Sequence, residues 1–224
     1  LKSTNGGTNF TIMGGTVNTT LNEITLSGIT SFSRWTADSS GVSAVINMAI
    51  EGYYNASTNR LRMQDTVRIY LRNTLSPYAI VDSAKTLLDS VNLRAACVFP
   101  NAPNGIYYIQ TKHRNSIETW SRAGGETYST TNTLNYDFTS SAPQAFGSNQ
   151  VQVDATPLRF AIYSGDILQD GIIDGSDGLI ADNDAAIFLA GYVRSDVNGD
   201  RFVDGTDAAI VDNNAANFVA IARP

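Results

Sequence analysis

Cysteine and histidine each occur once, charged residues make up only 16% of the chain, and no apolar run reaches the length of a membrane span. A lone cysteine excludes an intrachain disulfide. Cys97, inside the apolar run from Ala95 to Phe99, reads as a small buried hydrophobe. A lone histidine excludes most metal-hydrolase and Ser-His-acid arrangements, and no Gly-x-Ser-x-Gly elbow or phosphate-binding glycine loop is present. His113, between Lys112 and Arg114 on a predicted strand, reads as structural. Glu118 and Glu126 are the carboxylates that could be imagined as a glycosidase pair, but nothing in the sequence supports their separation or environment. The chain is therefore not expected to be an enzyme. Tyr53, Tyr54, Tyr107, Tyr108 and Trp120 could form a sugar-stacking platform, although aromatics on strands more often fill a core.

The charge that is present is unevenly placed. Of 21 acidic residues, eleven lie between Asp166 and the C-terminus, all of them Asp, against three Arg and no Lys. The acidity belongs to one region rather than to a general coat, which argues against a nucleic-acid partner. Within that region a twelve-residue pattern opens at Asp166 and again at Asp196, with carboxylates at positions 1, 5, 9 and 12 of each copy. This is the spacing with which a short loop wraps oxygen ligands around one calcium ion. The first loop offers the side chains of Asp166, Asp170, Asp174 and Asp177 and the carbonyl of Ile172. The second offers Asp196, Asn198, Asp200, Asp204 and Asp207 and the carbonyl of Phe202. Two calcium sites are expected. Leu168 at position 3 of the first loop cannot ligate, and Arg201 stands at position 6 of the second, where the turn ordinarily needs glycine. The repeat continues past the loops: Ile180, Asp182, Asn183, Ala185, Ala186 and Phe188 recur thirty positions on as Ile210, Asp212, Asn213, Ala215, Ala216 and Phe218.

The paired loops, Asp rather than Glu at position 12, and a helical segment after each loop resemble a type I dockerin, the duplicated calcium module that docks onto cohesin domains. The resemblance covers 164–224. It implies that Gly175, Ser176, Gly205 and Thr206, at loop positions 10 and 11, contact a protein partner of the cohesin type.

The rest of the chain reads as β. Residues 1–40 are poor in charge and suggest short strands at Asn9 to Met13 and Asn22 to Leu26, separated by glycine pairs. They hold too few large apolar groups to make a core alone. Adding a strand to a neighbouring copy's sheet, and so building a filament, is one expected use. In 41–163 apolar residues alternate with polar ones at Val42 to Ile50, Val67 to Leu71, Tyr107 to Ile109, Leu134 to Phe138 and Leu158 to Ile162, which predicts an antiparallel β-sandwich. A weak helix is expected around Ser83 to Leu88. The order of segments from Thr66 to His113 resembles the prealbumin-like sandwiches of bacterial surface proteins, and Lys112 to Ser121 resembles the module that precedes dockerin-like ends in large secreted bacterial proteins. That resemblance implies an accessory module without catalytic residues.

Three regions are thus expected: a strand segment at 1–40, a β-sandwich at 41–163 and a dockerin-like domain at 164–224. The expected role is a non-catalytic, extracellular or cell-surface structural or attachment protein, stabilised by calcium and acting through protein-protein contacts, with self-assembly as a surface filament subunit favoured over docking to a separate cohesin. The alternatives are a module anchoring a larger secreted protein to a cohesin scaffold, and a carbohydrate-binding accessory module. Calcium at millimolar level is found outside cells, hence the location. A chain that opens at Leu1 and shows no signal peptide is expected to be a processed product or a piece of something longer.

Overall fold

The computed structural model describes 43–224 and, ahead of them, four short strands: β1 (Lys2–Ser3), β2 (Thr16–Asn18), β3 (Glu23–Thr25) and β4 (Arg34–Trp35). The chain forms two compact units, Leu1–Ser40 and Gly41–Pro224. In the first, β1 pairs antiparallel with β4 and β2 with β3. The expected strand at Asn22 to Leu26 contains β3, and the one at Asn9 to Met13 lies outside the described residues.

The second unit is mostly β with two helices near its end. Its strands are β5 (Ala44–Asn47), β6 (Tyr54–Asn55), β7 (Arg60–Leu61), β8 (Asp65–Asn73), β9 (Ile80–Leu88), β10 (Arg94–Cys97), β11 (Gly105–His113), β12 (Ser116–Trp120), β13 (Glu126–Tyr128), β14 (Leu134–Asp137), β15 (Val151–Ala155) and β16 (Leu158–Ala161). Eight of them form one curled sheet in the order β12-β11-β8-β9-β10-β5-β14, with β13 on the free end of β11. All its pairings are antiparallel except β14 with β5. β6 with β7 and β15 with β16 make two further pairs.

The period-2 pattern is realised where it is strongest. Val67, Ile69 and Leu71 of β8 are fully buried, as are Ala44 and Ile46 of β5 and Ile109 of β11, and they share one core with Phe138 and Ile162. Cys97 is buried in the same core, and burial pushes its thiol up to about 12. Two expectations need correction. The weak helix at Ser83 to Leu88 is the second half of β9, paired along its length with β8. The spacing of Ala84 and Leu88 suits a helix face, but the same residues also share one face of a strand, and pairing on both edges decides between them. Leu158 is exposed, so the alternation along β16 overstates its burial.

Helices α1 (Gly175–Ala186) and α2 (Gly205–Ala216) follow the two acidic loops. They enclose a second core of Ile167, Ile173, Ala181, Val197, Ala208, Val211 and Val219, joined by Ile117 from β12. That shared side chain explains why the expected boundary between 163 and 164 falls inside one compact unit. Polar ties reinforce it: Asn214 donates to Glu51 Oε2 at 2.6 Å and to the Ser164 carbonyl at 2.8 Å.

Candidate metal centre and docking face

Each acidic loop closes on its own carboxylates. In the first, Asp166 accepts the amides of Asp170 (3.1 Å) and Gly171 (3.3 Å), while Asp177 accepts those of Ile167 (2.8 Å), Leu168 (3.0 Å) and Asp174 (3.1 Å). In the second, Asp196 accepts Gly199 (2.8 Å) and Asp200 (3.2 Å), and Asp207 accepts Val197 (2.9 Å), Asn198 (3.0 Å) and Asp204 (3.1 Å). Asp170, Asp174, Asp200 and Asp204 each accept the amide two residues on. Asp174 and Asp204 are also the N-caps of α1 and α2, with Asp177 and Asp207 completing reciprocal capping boxes. The same acids therefore start the helices and line the loops.

The two repeats swap partners. Ile172 bridges to Ala220 after α2, and Phe202 bridges to Ala190 after α1. The amides of Ile173 and Val203 donate at 2.8 Å to Val219 and Leu189, and those of Ile221 and Gly191 donate to Gly171 and Arg201. Among the described residues, the carbonyls of Ile172 and Phe202, at loop position 7, have no backbone partner. The departures from the loop pattern are also visible. Arg201 takes the left-handed conformation that position 6 demands (φ 72°), and so does Gln169 (φ 61°) at position 4 of the other loop.

Among the described residues no three His, Cys, Asp or Glu side chains converge as a ready-made metal cluster. A calcium shell in these loops would draw equally on Asn198 and on the two position-7 carbonyls, which such a grouping leaves out. The chemistry of the donors fits a cation. Asp166, Asp177, Asp196 and Asp207 are all buried to 2% exposure or less. Burial, followed by the charges of Asp177 and Asp170, raises Asp166 to about 6. Burial raises Asp196 and Asp207 as well, against their hydrogen bonds and, for Asp196, the charge of Arg114. Buried carboxylates held in this way favour neutralisation by a proton or a metal ion.

The sheet grips the second loop through a buried polar network absent from the sequence reading. Arg114, in the turn between β11 and β12, donates through Nε to Asp65 Oδ2 at 3.0 Å and also to Tyr53 Oη and the Val193 carbonyl. It lies 3.4 Å from Asp196 Oδ2 and stacks on Tyr192, 4.3 Å from the ring centre. Asn115 donates to the carbonyls of Arg194 (3.1 Å) and Asp196 (2.7 Å). His113 is structural: a carboxylate only accepts, so its Nε2 carries the proton toward Asp65 at 3.0 Å and its Nδ1 accepts from Ser116 at 3.0 Å. Burial holds the ring below its usual pKa, hence neutral. Burial works against the Asp65 carboxylate, but His113, Tyr192 and Arg114 outweigh it and hold it well below the usual range.

The imagined glycosidase pair has other partners. Glu118 accepts from Lys112 (2.7 Å) and Trp120 (2.6 Å), which keep it below the usual carboxylate range despite burial, and Glu126 pairs with Arg122 at 2.8 Å. Glu118 is therefore not poised as a general acid. The suggested sugar platform is core: Tyr53, Tyr54, Tyr107, Tyr108 and Trp120 are all 9% exposed or less.

Gly175, Ser176, Gly205 and Thr206 form the exposed first turns of α1 and α2. The other ends of the helices carry a stronger signal, Phe188 and Phe218. Both helices end in a Schellman motif: Phe188 and Leu189 donate to Ala185 and Asp184, and Phe218 and Val219 to Ala215 and Asn214. The left-handed position of this motif normally holds glycine. Here it holds phenylalanine twice, at φ 49° and 54°, with the rings 73% and 88% exposed. The thirty-residue recurrence of Phe where a helix stops could have pointed to them.

No family model and no curated protein sequence matches the chain. Among solved structures, two interface mutants of a type II Cohesin-X-Dockerin complex from Acetivibrio cellulolyticus are similar to it. One mutant is C-terminal and the other N-terminal, with TM-scores of 0.45 and 0.44. Each is 14% identical and covers 80% of this chain and 100% of that one. No role is carried over at this level of likeness.

Proposed function

We propose that this chain is a non-catalytic attachment module whose acidic loops bind two calcium ions and thereby set a helical face that docks onto another protein, outside the cell. The observation that carries this reading is the pair Phe188 and Phe218. A bulky residue in the left-handed region costs about 1 to 2 kcal/mol, and an exposed aromatic recovers none of it within its own chain. Contact with a partner would account for both. Leu179 on α1, Ile187 at its C-cap and Phe202 in the second loop add exposed apolar surface to the same module. Gly175, Ser176, Gly205 and Thr206 would flank it, and a cohesin-like domain is the partner that the loop pattern suggests. At roughly 1 mM calcium, sites with dissociation constants of about 0.1 to 1 mM would each add about 0.4 to 1.4 kcal/mol of stability.

Self-association through residues 1–40 has weaker support, because β1 to β4 are already paired within their own unit. The test is binding to a panel of cohesin domains by biolayer interferometry, with and without calcium, together with sedimentation of the chain alone. The expected result is calcium-dependent capture that Phe188→Gly with Phe218→Gly abolishes while the fold is kept, since glycine suits that position. Undiminished capture by the double variant would overturn the docking face. Calcium-dependent sedimentation as a polymer, lost on deleting 1–40, would replace it with self-assembly.

A further inference from the structure

The outer face of the sheet carries a feature that calcium and docking leave unexplained. Register places Lys112 of β11, Arg68 of β8 and Lys85 of β9 directly beside one another on three adjacent strands. Like charges facing each other across strands are destabilising, and neighbouring strands lie only about 4.8 Å apart. Lys112 has Glu118 at 2.7 Å, but Arg68 and Lys85 have no acidic partner among the described residues. The row lines a cleft of about 530 Å³ closed on its other side by Gln169, Tyr192 and Arg194 of the loop module. A second hollow of about 590 Å³ shares Lys112 and adds Arg72 and Arg223. Seven of the fifteen Lys and Arg residues of an acidic chain therefore line one continuous face.

We infer that this cleft binds an acidic oligosaccharide. A cleft lined by one sign of charge concentrates counter-ions of the other, and its volume suits a small organic ligand rather than a lone inorganic anion. Its walls contain what a sugar ring uses. Tyr192 is 60% exposed, with Arg114 already stacked on it, and Thr66, Tyr70 and Gln169 supply hydrogen-bonding groups beside the cations. The sugar's acidic group would lie over Arg68 and Lys85, with Arg194 opposite, and the adjoining hollow would take the next unit of the polymer. Of the aromatics named from sequence only Trp120 reaches this site, as part of the wall of the adjoining hollow, where Glu118 paired with Lys112 also lies.

Calorimetry with a galacturonic acid tetramer, its methyl ester and a hexa-aspartate peptide tests the assignment, in calcium and in chelator. The variant Arg68→Gln with Lys85→Gln removes two unpaired surface charges and is expected to melt no lower than the parent. The expected result is that the tetramer binds the parent at least tenfold more tightly than the variant, and at least tenfold more tightly than its uncharged ester or the peptide. Binding should weaken with salt and persist in Phe188→Gly with Phe218→Gly, which separates this site from the docking face. Failure of the parent to bind, equal binding of the variant, the ester or the peptide, or an affinity that follows calcium instead of Arg68 and Lys85 would each overturn it.

Discussion

Asp65 shows how one buried charge ties three parts of the molecule. It accepts from His113 at the end of β11 and Arg114 in the turn that follows, from Tyr53 beside β6, and from Tyr192 after α1. Removing one partner of a buried ionic network leaves the other charge uncompensated, at about 3 to 5 kcal/mol. Asp65→Ala should lose that much stability in urea denaturation. The pH dependence has a definite sign. A depressed carboxyl pKa contributes stability that is complete above the unfolded value of about 3.9 and is lost as pH falls through the lower folded value. His113, held neutral, adds a loss in the same direction below its unfolded pKa of about 6.5. Acid denaturation should thus steepen below about pH 4 in the parent, and less so in Asp65→Asn. None of this was legible in sequence, where His113 and Asp65 are 48 positions apart and Arg114 and Asp196 are 82 apart.

At the scale of the loop-helix element, local order was largely legible because the loop acids and the caps lie within twelve residues of each other. The acids at positions 9 and 12 are the N-caps and their capping-box partners. Leu168, 45% exposed at position 3, is the visible defect of the first loop. Leu168→Asp supplies the missing oxygen and is expected to tighten that site roughly tenfold, about 1.4 kcal/mol, in calcium calorimetry. Protons compete for the same loop. With Asp166 raised to about 6, the metal-free fold holds its proton more tightly than the unfolded chain does. Its stability therefore falls as pH rises from about 4 through 6. Calcium needs the ionised form, so affinity at the first loop should drop as pH falls through 6, as titrations at pH 5 and 7 would show. The partner-contacting role of Gly175, Ser176, Gly205 and Thr206 is only what the resemblance to a dockerin implies. The strained phenylalanines became visible only with backbone angles in hand.

Across the whole molecule, the sheet and the loop module meet at a close backbone contact. A Cβ on Gly52 would lie 2.1 Å from the Val197 carbonyl, in position 2 of the second loop, and the Gly52 amide donates to Ser164 Oγ at 3.1 Å. Gly52→Ala must push the loop away from the sheet. We expect a loss of about 1 to 3 kcal/mol, typical of overpacking, together with weaker calcium binding at the second loop while the first is spared. Calorimetry that finds both sites weakened equally would mean that the two loops, through their exchanged bridges, respond as one body.

Sequence alone determined the features that depend on near neighbours: two acid-lined loops, a helix started by each, alternating strands around an apolar core, and no means of making an intrachain disulfide. Their physics is contained in spacings of two to twelve residues. Tertiary structure decided what depends on register and long-range approach. It buried the aromatics that might have met a sugar, paired off Glu118 and Glu126, and turned Ser83 to Leu88 into a strand. It also set three cations in one row and placed Arg114 against Asp196. Such contacts join residues up to 163 positions apart, and only a packed chain chooses among the many partners that distance allows.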